Sequence, residues 1–86
     1  MSTGKTITPA QCRMARAALE LGVRELAALA DVSAMTVTRF ENGHSQGAPD
    51  TQDALRRALE KAGVVFVEEN GEGPGVRLRK EKVRRK

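Results

Sequence analysis

The chain has 86 residues, 40% of them hydrophobic and 30% charged, with a formal net charge of +4. That length suits one small domain and no more, and with no Trp or Tyr and only Phe40 and Phe66, its core must come from Leu, Val and Ala. A single cysteine excludes an internal disulfide, and no apolar run is long enough for a signal peptide or a membrane span, so a soluble cytoplasmic protein is expected.

Residues 1–7 are expected to be a disordered N-terminus. Thr8 can cap a first helix, and Pro9 suits its first position because the missing N–H would lack a partner there anyway. Cys12, Ala15 and Leu19 follow at helical spacing. With no neighbouring His and no Cys-x-x-Cys pair, Cys12 reads as a small buried apolar residue rather than a reactive thiol.

The stretch from Gly22 to Gly43 carries the strongest pattern. Leu26, Ala27, Leu29 and Ala30 form an apolar helical stripe, which Asp31 and Val32 interrupt. Ser33 then offers its hydroxyl to the free amides of a second helix, 34–41. Val37 and Phe40 give that helix an inward side, leaving Ala34, Met35, Thr38 and Arg39 facing out. Asn42-Gly43 ends it, since glycine accepts the left-handed conformation that stops a helix. Two short helices and a tight turn make a helix-turn-helix, whose second helix enters the DNA major groove.

His44 is the sole histidine, and with no Cys neighbour and no paired carboxylate it is expected to be neither part of a metal-ligand set nor a catalytic base. It reads as a loop residue, with a phosphate contact as its functional alternative. Asp50 or Thr51 is expected to cap a further helix reaching about Ala62, with Ala54, Leu55, Ala58, Leu59 and Ala62 as its apolar stripe and Gly63 as its stop. The period then changes. Val64 to Val67 is a β-branched and aromatic run, residues 70–75 are turn chemistry, and Val76 to Arg79 alternates apolar and basic, so 64–79 reads as a β-hairpin. The G-x-G-P-G run opens no helix and lacks the lysine and hydroxyl of a P-loop. Residues 76–86 hold seven basic and one acidic residue, whereas the other 75 hold eight and ten. Basic character is therefore concentrated at the tail, 80–86, which is expected to be disordered and suits a polyanion.

Leu26-Ala27, Val32-Ser33, Thr36-Val37 and Phe40-Glu41-Asn42-Gly43 resemble the signature of the Cro and lambda-repressor helix-turn-helix family, also called XRE-like. The resemblance runs without a gap from about Thr8 to Gly43 and more loosely to Gly63. It implies a mainly α, lambda-repressor-like domain of four helices over 8–63, here followed by the hairpin. It further implies an ion pair between Arg16 and Glu41 that ties helix 1 to the end of the recognition helix. The chain departs from the family at three positions. Gly22 stands where a side-chain cap is usual, Val23 where Gln reaches a phosphate, and Asp31 where the turn has glycine. Only the Val23 backbone N–H could then serve the phosphate, and the Asp31 turn should survive with some strain.

The expected function is sequence-specific binding of double-stranded DNA by a transcriptional regulator acting as a repressor. Arg39 can donate two hydrogen bonds to guanine, Thr38 can serve several bases, and Met35 and Ala34 can touch thymine methyl groups. Val23, Arg24, Ser33, Asn42 and His44 complete the expected contact set, with Asn42 and the backbone near Gly43 positioned for phosphates. No nucleophile, base and orienting group can be assembled, so an enzyme is not expected, and no cofactor is called for. A homodimer held by Val65 and Val67 of the hairpin is expected, because Val64 and Phe66 can cover the helices while the opposite strand face needs another cover. The alternative, implied by the resemblance, is an antitoxin or interaction module that binds a toxin partner and represses its own operon.

Overall fold

A strong N-cap opens the folded chain. In the computed structural model, which describes residues 6–44, 49–68 and 71–79, Thr8 Oγ1 accepts from the Gln11 amide at 3.0 Å, and the Gln11 side chain accepts from the Thr8 amide at 2.9 Å. This reciprocal box, with Pro9 at the first position, starts α1 (Pro9–Leu19). Three more helices follow, α2 (Val23–Ala30), α3 (Ala34–Glu41) and α4 (Pro49–Ala62), then an antiparallel hairpin of β1 (Val64–Val67) and β2 (Gly75–Leu78). The fold is mainly helical with a C-terminal hairpin, as the periodicities predict.

The core joins all six elements. Cys12, Ala15, Leu26, Ala27, Val37, Phe40, Leu55, Leu59 and Val64 are buried in it. Helix α2 packs on α3 and α4, and α1 lies between α3 on one side and the hairpin on the other. The hairpin is anchored by a polar clamp as well as by Val64, Phe66 and Val76. Gln11 Nε2 donates to the carbonyls of Val67 at 3.2 Å and Gly75 at 2.9 Å, one on each strand. Gln11 is itself buried, so the clamp satisfies an amide that would otherwise be costly to desolvate.

Several boundaries differ from the sequence reading. Ile7 is buried in the core rather than part of a loose N-terminus, so the apolar body begins before the first cap. Leu29 is 56% exposed and Ala62 is exposed, because each lies at the margin of its helix's apolar stripe. Helix α4 opens at Pro49, so Asp50 sits in its first turn, where its charge favours the helix dipole, instead of preceding it. Strand β2 starts one residue earlier, at Gly75. The expectations for residues 1–5, the loop 45–48 and the tail 80–86 lie outside the described residues.

Gln11→Ala removes the side-chain half of the cap and both strand bonds together, leaving the residue-11 amide on Thr8 Oγ1. We expect it to cost roughly 2–3 kcal/mol, since each buried amide bond is worth about 1 kcal/mol net and two strand carbonyls lose a donor. Urea unfolding measures the loss, and hydrogen exchange should show the hairpin amides losing protection before those of α2.

Candidate nucleic-acid interface

The turn between α2 and α3 is built by two caps. Asp31 ends α2 in the left-handed conformation (φ 61°, ψ 44°), a region that short polar side chains enter more readily than others. The chain thus makes the turn without a glycine at its left-handed position. Ser33 then caps α3, its Oγ accepting from the Thr36 amide at 3.0 Å and lying 2.8 Å from the Thr36 hydroxyl. At the start of α2, Gly22 has no side chain to cap with. Its amide instead donates to Glu25 Oε1, which reaches back from the first turn. A Cβ at Gly22 would lie 2.8 Å from that oxygen, so the missing side chain leaves room for the acid.

Helix α3 has only eight residues, too few to persist alone. Its inward side is fixed by Val37, Phe40 and Glu41. The Glu41 carboxylate, 4% exposed, takes a bidentate bond from Arg16, Nε to Oε2 at 2.8 Å and Nη2 to Oε1 at 2.7 Å. Arg16 also donates to the Leu21 carbonyl at 3.2 Å. The Cys12 thiol donates to Glu41 Oε2 at 3.2 Å, and Arg13 donates to the Glu41 backbone carbonyl. The expected Arg16–Glu41 pair is therefore present and belongs to a larger network.

Burial alone would push the Glu41 carboxyl up. The bonds from Arg16 and Cys12, with the nearby charges of Arg16 and Arg13, outweigh it and hold the carboxyl below its ordinary value of 4.5. The Cys12 thiol is pushed strongly up, first by burial and then by its bond to Glu41 and the carboxylate's charge. It stays protonated and serves as a donor, which makes it inert as a nucleophile.

The outward side of α3 is open. Met35, Thr38 and Arg39 are exposed, Met35 at 65%, and Arg39 Nη1 lies 4.0 Å from Met35 Sδ across one helical turn. Asn42 and His44 are exposed just beyond, their amides bonded to the carbonyls of Thr38 at 3.0 Å and Arg39 at 3.0 Å. Gly43 between them takes the left-handed turn (φ 77°). Arg24 is exposed near the start of α2. Three of the expected contact residues are committed elsewhere. Ala34 is half-buried against the core rather than facing out, because the first turn of α3 leans on the domain. Val23 likewise packs its side chain inward, and the Ser33 hydroxyl is engaged as the helix cap. Val65 and Val67 are half-buried on the hairpin face opposite Val64, far from this surface in role.

Sequence reasoning missed Gln11, Arg13 and Glu25. The T-P-x-Q spacing carried the signal for Gln11, and the acid three residues after Gly22 carried it for Glu25. Nothing in the sequence marks Arg13. Among the described residues, no His, Cys, Asp and Glu side chains gather as a metal ion needs, and no helix is long and apolar enough to cross a membrane. Compared with known proteins, the chain matches no family model and no curated sequence.

The pH dependence follows from Glu41. A carboxyl held below its ordinary value contributes stability that is fully present above about pH 4.5 and is lost as pH falls through the folded value. Urea midpoints measured from neutral to acid pH should therefore fall on acidification. Glu41→Gln should flatten that fall and lower stability at neutral pH, and an unchanged acid limb in the variant would remove Glu41 as its source.

Proposed function

We propose that the protein is a sequence-specific DNA-binding regulator that reads the major groove with the outward face of α3 and represses by occupying its operator as a homodimer. One observation carries the reading most: a short helix held rigidly from behind by a buried ion pair, with Met35, Thr38 and Arg39 presented on its free side. These side chains have no structural duty in the domain. Their chemistry fits base edges, with a forked guanidinium for guanine, a hydroxyl for several acceptors and donors, and a thioether for a thymine methyl. Arg24, Asn42 and His44 flank them as positioning contacts to phosphates. Two such helices, related by a two-fold axis, would meet half-sites about one helical turn apart, about 34 Å.

Selection of bound duplexes from a random pool, followed by affinity measurement, tests the reading. Recovery of no preferred sequence would refute it. Arg39→Ala should weaken the selected site by about 1–3 kcal/mol and relax preference at one base pair while leaving random DNA almost unaffected. Equal loss on both would reduce Arg39 to a phosphate contact.

The basic residues of 80–86 add a separate, sequence-independent contribution through counterion release. Deleting them should flatten the salt dependence of binding and leave site preference intact, and an unchanged salt slope would exclude the tail from the complex.

A further inference from the structure

Met35 and Arg39 stand one helical turn apart on α3, so they are neighbours on a single face. Both side chains are exposed, and Arg39 Nη1 lies 4.0 Å from Met35 Sδ. Among the described residues, no carboxylate forms an ion pair with Arg39, so the thioether is the contact that steers its guanidinium. Residues at this spacing are about 6 Å apart along the helix axis, yet the two tips have closed to 4.0 Å. Successive base pairs of B-DNA stack about 3.4 Å apart. The tips are therefore spaced for two adjacent base pairs, one pair for each side chain.

The two tips recognise different groups. A guanidinium fork suits O6 and N7 of guanine. A thioether has no donor and only a weak acceptor, so what it can recognise on the next pair is apolar surface. In the major groove that surface is the C5-methyl of thymine. The methyl does not belong to thymine alone. 5-Methylcytosine carries it on the same carbon and differs at position 4, where an amine replaces the carbonyl oxygen. An amide side chain at residue 35 would register that exchange, because it places a donor and an acceptor in fixed positions. Met35 meets the amine only through a weak N–H to sulfur contact and has no bond to lose with the carbonyl. Thr38, exposed on the same helix, can donate or accept and so serves either group.

We propose that Met35 and Arg39 together read a guanine beside a pyrimidine C5-methyl, and that 5-methylcytosine is accepted there in place of thymine. This rests on the major-groove reading above and deepens it. The ligand becomes duplex DNA in which a methyl group, rather than the identity of the base that bears it, is sensed next to the guanine. Unmodified cytosine at that position leaves Met35 facing a pair with no apolar group, and methylation of the cytosine supplies one. Occupancy of such a site then responds to a covalent mark on the DNA itself, and the mark strengthens binding.

Duplex selection with the full chain and with Met35→Ala identifies the position, as the one where the variant loses the wild-type preference. Met35 is 65% exposed, so the fold accepts the change, which thermal melts verify. That position is then filled with thymine, deoxyuridine, cytosine or 5-methylcytosine, each with its ordinary partner base, and fluorescence anisotropy reads the four affinities. The wild-type chain should bind the thymine and 5-methylcytosine duplexes alike. It should bind the deoxyuridine and cytosine duplexes about fourfold more weakly per half-site, the weight of one buried methyl. Met35→Ala should not separate the four. Equal binding of thymine and deoxyuridine would overturn the methyl reading, and 5-methylcytosine binding as weakly as cytosine would overturn its acceptance. A position that is not next to the guanine read by Arg39, or no altered position at all, would break the pairing of the two side chains. These results leave DNA recognition standing, whereas recovery of no preferred sequence by the wild-type chain would remove the major-groove reading and this proposal together.

Discussion

A carboxylate buried at the end of a short helix is the constraint on which the rest of this domain depends. Glu41 sits in the last turn of α3, where the helix dipole disfavours negative charge, and in the core, where desolvation disfavours it further. It is tolerated because α1 supplies the Arg16 fork and the Cys12 thiol to its oxygens and the Arg13 guanidinium to its carbonyl. All three donors lie within five consecutive residues of one helix. The result is directional as well as energetic. A hydrophobic contact would let α3 slide or rotate on the core, whereas a planar fork on a carboxylate fixes its end in position and angle. The face opposite that fork is consequently fixed too.

How much of this was legible follows the same division. Elements whose cause is local were readable: the Thr8 and Ser33 caps, the Gly43 stop, and the change of period at Val64. The Arg16–Glu41 pair was legible only through resemblance, because residues 25 apart in sequence carry no local sign of contact. Errors fell at the margins of helices. Leu29 and Ala62 satisfy helical spacing as well as their buried neighbours do, and only the arrangement of α4 against α2 and of the hairpin against α1 decides which edge of a stripe is covered. Ile7 was misjudged because a single apolar residue before a cap has no periodicity to display. Ala34 was misjudged because the first turn of a helix leans inward or outward according to the preceding turn, which here is set by Asp31 in a left-handed conformation.

The α2–α3 turn illustrates how a departure from a familiar pattern can be absorbed. Asp31 carries a side chain where no side chain is ideal, at a cost of about 1–2 kcal/mol for an ordinary residue in that conformation. Its amide still bonds to the Ala28 carbonyl at 3.3 Å, and the next amide, of Val32, bonds to the Ala27 carbonyl at 3.0 Å, so the helix end is satisfied as a glycine would satisfy it. Gly22 shows the reverse case. There the expected side chain is missing, and a neighbouring acid supplies part of the cap from the other direction. In both places the backbone groups at the helix end find partners, at Asp31 through the amides of Asp31 and Val32 and at Gly22 through the Glu25 carboxylate.

Helix α1 is the piece that the two halves of the molecule share. Adjacent residues on it serve different neighbours: Cys12 bonds to Glu41 at the end of α3, and Gln11 bonds to two carbonyls of the hairpin. Both side chains are buried and both are hydrogen-bonded, so neither contact can shift without leaving a polar group unsatisfied. Helix α3 and the hairpin make no substantial contact with each other; α1 links them through these two residues, and α2 and α4 link them through the shared apolar core. The polar route runs from α3 through Glu41 to α1, and from α1 through Gln11 to the strands. The polar contacts along that route have strict geometry, which orients α3 and the hairpin on α1 more tightly than aliphatic packing alone would. The division of labour is physical: apolar burial holds the domain together, and the few buried polar groups decide how its parts are oriented.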